Sequence, residues 1–208
     1  MASYELTVPI SEAEIRALHV GDSVRLSGVL VTARDAAHRY LVETLMPGQA
    51  AGSLAKKDLK VYEALLPILR GGVIYHCGPI VRETEDGWDF VAAGPTTSGR
   101  LEPYQPGVIA HFGLRGVVGK GGMGPQTGRA FREQGAVYLH AVGGAASLIA
   151  GRIEEVLAVH KLQAFGSPEA MWVVRVAGMP LVVTMDSHGR SLHSEVDEES
   201  AKALERLL

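Results

Sequence analysis

Three segments of this sequence place a positively charged or hydroxyl side chain among small residues, directly after an apolar run. They are Thr32-Ala33-Arg34-Asp35, Gly94-Pro95-Thr96-Thr97-Ser98-Gly99-Arg100 and Gly119-Lys120-Gly121-Gly122-Met123-Gly124. Small residues leave backbone amides accessible, and guanidinium, ammonium and hydroxyl groups donate hydrogen bonds to oxyanions. Ligand sites in α/β proteins favour the loops beyond strand ends, so these segments indicate an anion-binding site.

The 119–124 loop combines glycines, which permit positive φ angles and suit an anion nest, with the full charge of Lys120. A phosphate-binding P-loop is excluded, because Leu114 stands where its first glycine belongs and Gly121 follows the lysine. The loop formally satisfies G-x-G-x-x-G. However, residues 138–144 lack the carboxylate that a dinucleotide site places about twenty positions further on. The simpler interpretation is a tight connection from a strand to a helix.

The other two segments also have two interpretations each. In the 94–100 loop, Thr96, Thr97 and Arg100 suit an oxyanion, but capping of a helix by a hydroxyl explains the same pattern. Arg34 is suited to binding a substrate carboxylate through two parallel hydrogen bonds. The simpler interpretation is that Arg34 pairs with a surface acid and that Asp35 is a helix cap. We interpret the nearby His38 as structural.

Cys77 is the single cysteine of the chain, so no internal disulfide forms and a reducing compartment is indicated. A cubane iron–sulfur cluster needs about three or four thiolates, so this chain cannot hold one alone. His76 and Cys77 are adjacent in a predicted strand and point to opposite faces, which argues against a shared metal ion. We interpret Cys77 as a small buried hydrophobe.

Composition places the chain among ordinary globular proteins, with 208 residues, 47% apolar and 21% charged. A net charge of −3 offers no basic field for a nucleic acid, and no apolar run reaches the ~20 residues of a membrane span. The first ten residues lack the pattern of a signal peptide. We therefore expect a cytoplasmic protein without nucleic-acid or membrane partners.

The hydrophobic pattern predicts an α/β domain with a mixed sheet, because strands and helices alternate without strict βαβ regularity. Helices are predicted at 11–18, from Asp35 to a stop at Pro47-Gly48, as a turn within 56–69, and at 107–112, 126–134, 144–159 and 198–208. Strands are predicted at 24–32 with a bulge at Gly28, at 73–81 and 88–93 across an Asp86-Gly87 hairpin, and at 116–118, 136–141, 171–176 and 181–185.

Taken in order, these motifs resemble the beta subunit, or C-terminal domain, of class I iron–sulfur fumarate hydratases and L-tartrate dehydratases. Besides the three segments, the matching motifs are Gly21-Asp22, Leu26-Ser27-Gly28, Ala36-Ala37-His38, Gly78-Pro79, Gly143-Gly144-Ala145-Ala146, Pro168-Glu169-Ala170-Met171-Trp172 and Val183-Thr184-Met185-Asp186. The resemblance implies a single domain over residues 1–208, of the swivelling β/β/α type, with a polar C-terminal helix at 193–208.

The resemblance also implies that a partner alpha subunit holds a 4Fe-4S cluster, to which this chain contributes no metal ligand. The activity implied is reversible hydration of fumarate to L-malate by a hetero-oligomer, with a homodimer as the assembly of the isolated chain. The predicted site comprises the catalytic Thr96, the substrate-binding Arg34, Thr97, Arg100 and Lys120, and the supporting Asp35, Gly119, Gly121 and Gly122.

Other functions stay open at this point. The 143–146 and 168–172 motifs favour fumarate, but L-tartrate dehydration and mesaconate hydration fit the same resemblance. From a different class, the 119–124 loop alone fits a nucleotide- or phosphate-binding enzyme, or a non-catalytic anion-binding module.

Overall fold

The computed structural model of the chain describes residues 2–85 and 87–207. Within them, a mixed sheet of seven strands runs in the order β1-β2-β3-β6-β7-β9-β8, and β4 and β5 form a separate antiparallel hairpin. The strands are β1 Ser3–Thr7, β2 Ser23–Thr32, β3 Val73–Tyr75, β4 Ile80–Thr84, β5 Gly87–Ala92, β6 Gly116–Gly119, β7 Val137–His140, β8 Ile153–His160 and β9 Met171–Met185. The predicted fold class, a mixed α/β domain with a mixed sheet, is confirmed.

The sheet closes on itself, because β2 also pairs antiparallel with β9 and so completes a ring of β2, β3, β6, β7 and β9. Alternating side chains divide the interior into two cores, with Leu139 in one and Tyr138 in the other. The β4–β5 hairpin packs on the first core through Val81, Trp88 and Phe90. Helices cover the second core, so the layers are helix, sheet and hairpin.

Short helices connect these strands. They are α1 Glu12–Arg16, α2 Asp35–Tyr40, a π-helical turn Leu41–Leu45, α3 Met46–Ala50, α4 Lys56–Leu69, a 3₁₀ turn Ser98–Leu101, α5 Gln105–Phe112, α6 Pro125–Gln134, α7 Ala146–Ala150, α8 Leu162–Phe165 and α9 Leu192–Glu205. No described helix has both the length and the apolar character needed to cross a bilayer. The domain limits 1–208 and 193–208 stay predictions.

The predicted start of the first helix and the predicted bulge at Gly28 are both confirmed. Ser11 caps α1 and forms a capping box with Glu14. The register of β2 against β9 shifts between Leu26 and Gly28, as the predicted bulge requires. A Cβ atom at Gly28 would lie 2.9 Å from the carbonyl oxygen of Val8, so the close approach of two backbones demands glycine there.

The predicted strand 73–81 is wrong, because β3 ends at Tyr75 and β4 begins at Ile80 in another sheet. Gly78 and Pro79 lie at the crossing, where Cys77 still bridges to Pro95. The hairpin itself is confirmed by the pairing of β4 with β5, while Asp86 of its turn lies outside the described residues.

The predicted helix 144–159 is also wrong. Ile149, Ile153 and Val156 recur at helical spacing, but α7 ends at Ala150 and β8 then pairs with β9 as an edge strand of the sheet. An edge strand has a neighbouring strand on one side only, and more of its residues are exposed to solvent. The polar residues of β8 therefore hid the alternation of apolar and polar residues that indicates a strand.

Three further boundaries differ from prediction. Pro47 does not stop the helix: the chain continues from the π-helical turn into α3, and Pro47 lies in the first turn of α3. The segment 56–69 is a complete helix. Strand β9 runs unbroken through Pro180, at a stretch where β8 no longer pairs with it.

Candidate functional site

The three predicted segments meet at one edge of the sheet, two of them after the carboxyl ends of parallel strands and the 94–100 loop after β5 of the hairpin. Strands β2, β3 and β6 pair in parallel, and Arg34 follows β2 while Lys120 follows β6. Between them, the amide of Thr96 donates to the carbonyl of His76 at 2.7 Å, and the amide of Lys120 donates to the carbonyl of Thr96 at 3.2 Å. Backbone hydrogen bonds therefore fix the 94–100 loop against the end of β6.

Arg100 is the side chain that joins two of these segments. Its Nη2 atom lies 3.1 Å from Oδ2 of Asp35 and 3.4 Å from Oγ1 of Thr96. Asp35 is the first residue of α2, and its side chain makes this ion pair instead of the predicted helix cap. The pair is about half exposed, at 50% for Arg100 and 40% for Asp35, so the guanidinium stays accessible to a ligand.

Arg34 occupies the N-cap position of α2 and faces Glu169. Its Nε atom lies 3.3 Å from Oε1 of Glu169, but Nε makes no hydrogen bond among the described residues, so the contact is an ion pair without aligned geometry. The other oxygen of Glu169 accepts from the amide of Ala36 at 2.9 Å. A Cβ atom at Gly78 would lie 2.4 Å from Nη1 of Arg34, so Gly78 provides the space for this guanidinium.

Lys120 is partly buried, and its stem passes beside Gly143, where a Cβ atom would lie 3.5 Å from Cδ of the lysine. In residues 2–85 and 87–207, no carboxylate lies within ion-pair distance of its ammonium group. Thr97 pairs with Lys120 through the backbone and is exposed. Lys120 thus differs from Arg34 and Arg100, each of which keeps one acidic partner.

The supporting glycines have separate steric roles. Gly121 and Gly122 have φ angles of +82° and +74°, which glycine adopts without strain, and Gly122 packs directly against the ring of His193. Gly119 has an ordinary φ angle, but a Cβ atom there would lie 2.0 Å from Oγ of Ser98 and 2.8 Å from Oη of Tyr138. Gly119 therefore makes room for a buried polar cluster beneath the loop.

This edge of the sheet can hold a small anion with more than one negative charge. A guanidinium carries five N–H donors, so Arg34 and Arg100 can keep their acids and still bind a ligand. Thr96 accepts a hydrogen bond from Arg100, and no carboxylate or imidazole of the described residues accepts a hydrogen bond from Thr96. Within the described residues, the hydroxyl of Thr96 is therefore not hydrogen-bonded to a base.

Cys77 does not have the character of an iron ligand. Its thiol is fully buried, and burial raises its pKa to about 12. Within the described part of the chain, no group of three or more histidine, cysteine, aspartate or glutamate side chains could hold a metal ion. The residues of this chain therefore do not fit a 4Fe-4S cluster.

Sequence reasoning missed two residues of this region. Glu169, the partner of Arg34, is distant in sequence, and its proximity follows only from the register of β9 beside β2. Gln105 is buried beneath the site between His38 and His76. A polar residue after an apolar strand, as His76 is, signals such a buried network, and His38, which we interpreted as structural, is fully buried as well.

Comparison with known proteins defines the class of this chain. The family described as "Fumarase C-terminus" matches residues 2–196. A protein of Geobacillus stearothermophilus named "Putative fumarate hydratase class I" is 47% identical over 200 residues, which cover 96% of this chain and 35% of that protein. The chain therefore spans about a third of that relative.

Two relatives of similar length carry a different name. "L(+)-tartrate dehydratase subunit beta" of Escherichia coli is 39% identical over 192 residues, covering 91% of this chain and 86% of that protein. "Putative L(+)-tartrate dehydratase subunit beta" of Methanocaldococcus jannaschii is 37% identical over 200 residues, covering 96% and 95%. This chain belongs to the fumarase C-terminus family, as its ordered motifs predicted.

Proposed function

We propose that this chain is the beta subunit of an iron–sulfur hydro-lyase that hydrates fumarate reversibly to L-malate. The observation that carries the proposal is the position of Arg100, whose guanidinium reaches both Asp35 and Thr96, while the backbone of Thr96 is hydrogen-bonded to that of Lys120. Membership of the fumarase C-terminus family and the names of the relatives support the same class of reaction.

The substrate-holding part of the proposal rests on charge. Fumarate is a dianion, and removing a proton from malate beside a carboxylate builds further negative charge. In this proposal Arg34, Arg100 and Lys120 bind the carboxylates, and Thr97 donates an additional hydrogen bond from the exposed side. Each charge-assisted contact contributes about 1.5–3 kcal/mol, and contacts that strengthen as charge develops lower the barrier.

Thr96 is the proposed catalytic group, with its Oγ1 atom next to the carbon that loses or gains a proton. A threonine hydroxyl is a poor base without an activating partner. Since the described residues supply no such partner, we propose that it comes from the alpha subunit. Asp35 orients Arg100, and Gly119, Gly121 and Gly122 shape the loop around Lys120.

The 4Fe-4S cluster belongs to the alpha subunit in this proposal, because the single, buried thiol of this chain does not suit it. When bound there, the cluster supplies a Lewis-acidic iron for the hydroxyl of malate. The assembly is then a hetero-oligomer whose site lies between subunits. A reducing cytoplasm fits a chain with one free cysteine.

L-tartrate dehydration is the second candidate. It is favoured by the relatives of similar length, which are named as tartrate dehydratase beta subunits. Tartrate carries two carboxylates, as fumarate does, and adds hydroxyl groups, so the same cations serve both substrates. Mesaconate differs from fumarate by one methyl group, and its two carboxylates would bind to the same cations.

Anaerobic reconstitution with the alpha subunit tests the proposal. We expect fumarate to be hydrated by the assembled subunits and by neither subunit alone, with a higher kcat/KM than for L-tartrate or mesaconate. A higher kcat/KM for L-tartrate would mean that L-tartrate is the substrate, and the proposed class of reaction, hydro-lyase, would stand. Activity of this chain alone, or tight calorimetric binding of NAD, FAD or ATP, would overturn the proposal.

A further inference from the structure

A chain of five buried polar side chains lies beneath the candidate site. Nε2 of His38 lies 2.8 Å, and Nε2 of His76 lies 2.9 Å, from Oε1 of Gln105. Nδ1 of His76 lies 2.8 Å from Oγ of Ser98, which lies 2.7 Å from Oη of Tyr138. All five side chains are fully buried, so each hydrogen bond in the chain has a high energetic value.

Each of the site segments is attached to this network. The carbonyl of Arg34 lies 3.0 Å from Nδ1 of His38, and the carbonyl of His76 accepts from the amide of Thr96. The amide of Ser98 donates to the carbonyl of Lys120 at 3.0 Å. The network therefore connects the backbones that carry the proposed substrate-binding side chains.

The contact between His38 and the carbonyl of Arg34, at one end of the network, determines which groups donate and which accept hydrogen bonds along it. A carbonyl oxygen only accepts, so Nδ1 of His38 must carry a proton to bond with Arg34. If Gln105 then presented its oxygen to Nε2 of His38, the imidazole would have to be doubly protonated in a fully buried position. Burial opposes this and lowers the pKa of His38 and, more strongly, of His76.

A half turn of the Gln105 carboxamide removes the conflict. Its amino group then donates one hydrogen to Nε2 of His38 and the other to Nε2 of His76, and Nδ1 of His76 donates to Ser98. The exchange gives the Gln105 nitrogen two partners and moves the Gln105 oxygen to the position that has no hydrogen-bond partner among the described residues. Both imidazoles are neutral, and the amide nitrogen is fully bonded.

We propose that Gln105 is a positioning residue of the site: its amino group bridges two neutral imidazoles and so holds the backbones of Arg34, Thr96 and Lys120 in one register. Gln105 touches neither the substrate nor the reacting atoms and acts through His38 and His76. Its effect on catalysis rests on the proposed function, whereas its hydrogen-bond roles do not.

The first test reads the tautomers directly, in the full chain labelled with ¹⁵N. Two-dimensional ¹H–¹⁵N spectra of the imidazoles at neutral pH are expected to give protonated Nδ1 and unprotonated Nε2 for both His38 and His76. A protonated Nε2 on either ring would overturn the inference. Gln105→Glu is expected to convert His38 to the imidazolium, because a carboxylate can only accept, while the exposed Gln49→Glu leaves both signatures unchanged.

The second test uses the reconstituted enzyme. Gln105→Met keeps the length of the side chain and removes its hydrogen bonds, and we expect kcat/KM to fall about 10- to 100-fold with a clear rise in KM. A residue that only stabilised the fold would lower the amount of active enzyme and leave KM unchanged, and that result would overturn the positioning role. If no substrate is converted by the wild type, the proposed function fails while the spectra still decide the inference.

Discussion

The guanidinium of Arg100 lies 3.1 Å from the carboxylate of Asp35, although 65 residues separate them in the sequence. Both side chains are about half exposed, so the ion pair contributes little to folding stability, roughly 0–1 kcal/mol. Its consequence is geometric, because the same Nη2 atom also reaches Thr96. The pair holds Arg100 over the site and leaves its other donors available to a ligand.

Replacing Arg100 by alanine should therefore affect catalysis far more than stability. Loss of one charge-assisted contact of about 1.5–3 kcal/mol predicts a fall of roughly 10- to 150-fold in kcat/KM of the reconstituted enzyme. Arg82 offers a matched control, because it makes a comparable exposed ion pair with Asp89 on the hairpin. In steady-state kinetics, we expect kcat/KM to fall in Arg100→Ala and to stay at the wild-type value in Arg82→Ala. Equal values of kcat/KM in the two variants would mean that Arg100 does not contribute to the site.

Adding one methyl group at Gly78 should displace Arg34 without changing any charge. The new Cβ atom would lie 2.4 Å from Nη1 and 2.6 Å from Cδ of Arg34, and 2.8 Å from the carbonyl oxygen of Pro168, so the guanidinium must move and the backbone at Pro168 must give as well. We expect KM for the dicarboxylate to rise about 10-fold or more in Gly78→Ala. In Gly107→Ala the nearest atom is 3.7 Å away, and kinetics unchanged from wild type are expected there. An unchanged KM in Gly78→Ala would argue against a contact between Arg34 and substrate.

The buried network predicts a large loss of stability when Gly119 becomes alanine. A Cβ atom would meet Oγ of Ser98 at 2.0 Å and Oη of Tyr138 at 2.8 Å, neither of which can shift without breaking a hydrogen bond. Overpacking of this kind costs about 1–3 kcal/mol, whereas Gly99→Ala, with no atom within 4 Å, should stay within about 0.5 kcal/mol of wild type. Urea unfolding of both variants measures the difference. Equal stabilities would mean that the space beside Gly119 is not needed.

Stability should also fall on mild acidification. Burial lowers the folded-state pKa of His38 and His76 below the value of about 6.5 in the unfolded chain. As the pH drops below about 6.5, the two histidines bind protons in the unfolded state but not in the folded state. Each of them therefore reduces the free energy of unfolding by about 1.4 kcal/mol per pH unit. Lowered pKa values of four other histidines add to the slope: His111, His140, His160 and His193.

Urea unfolding between about pH 8 and pH 5 tests this dependence, because histidines change charge in that range. The free energy of unfolding is expected to be nearly constant in the upper part and to decline in the lower part. A constant value throughout would mean that the two imidazoles become protonated in the folded state as readily as in the unfolded chain.

Much of the site could be predicted from sequence because its chemistry is local. Arg34 and Lys120 follow the parallel strands β2 and β6, which end at one edge of the sheet, whereas Thr96 follows β5 of the hairpin and reaches this edge through backbone hydrogen bonds to His76 and Lys120. What could not be predicted depends on tertiary register. The pairing of Arg34 with Glu169 requires β9 to lie antiparallel beside β2, and nothing within either segment specifies that partner.

The buried network was missed for a related reason. Gln105 opens α5 and resembles any polar residue of a first helical turn, yet it is fully buried between two histidines. Its environment arises from helix packing against the strand ends, which the hydrophobic period of α5 does not encode. The helix predicted at 144–159 failed because the apolar residues Ile149, Ile153 and Val156 recur at helical spacing, although the last two lie on the edge strand β8.

The central claim is that residues of this chain bind the dicarboxylate of a site completed by another subunit. The most direct measurement is a crystal structure of the reconstituted complex with succinate, an unreactive dicarboxylate. We predict carboxylate oxygens within hydrogen-bond distance of the Arg100 guanidinium and the Lys120 ammonium, at the boundary between the subunits. A dicarboxylate held entirely by the alpha subunit, with both cations facing solvent, would contradict the account.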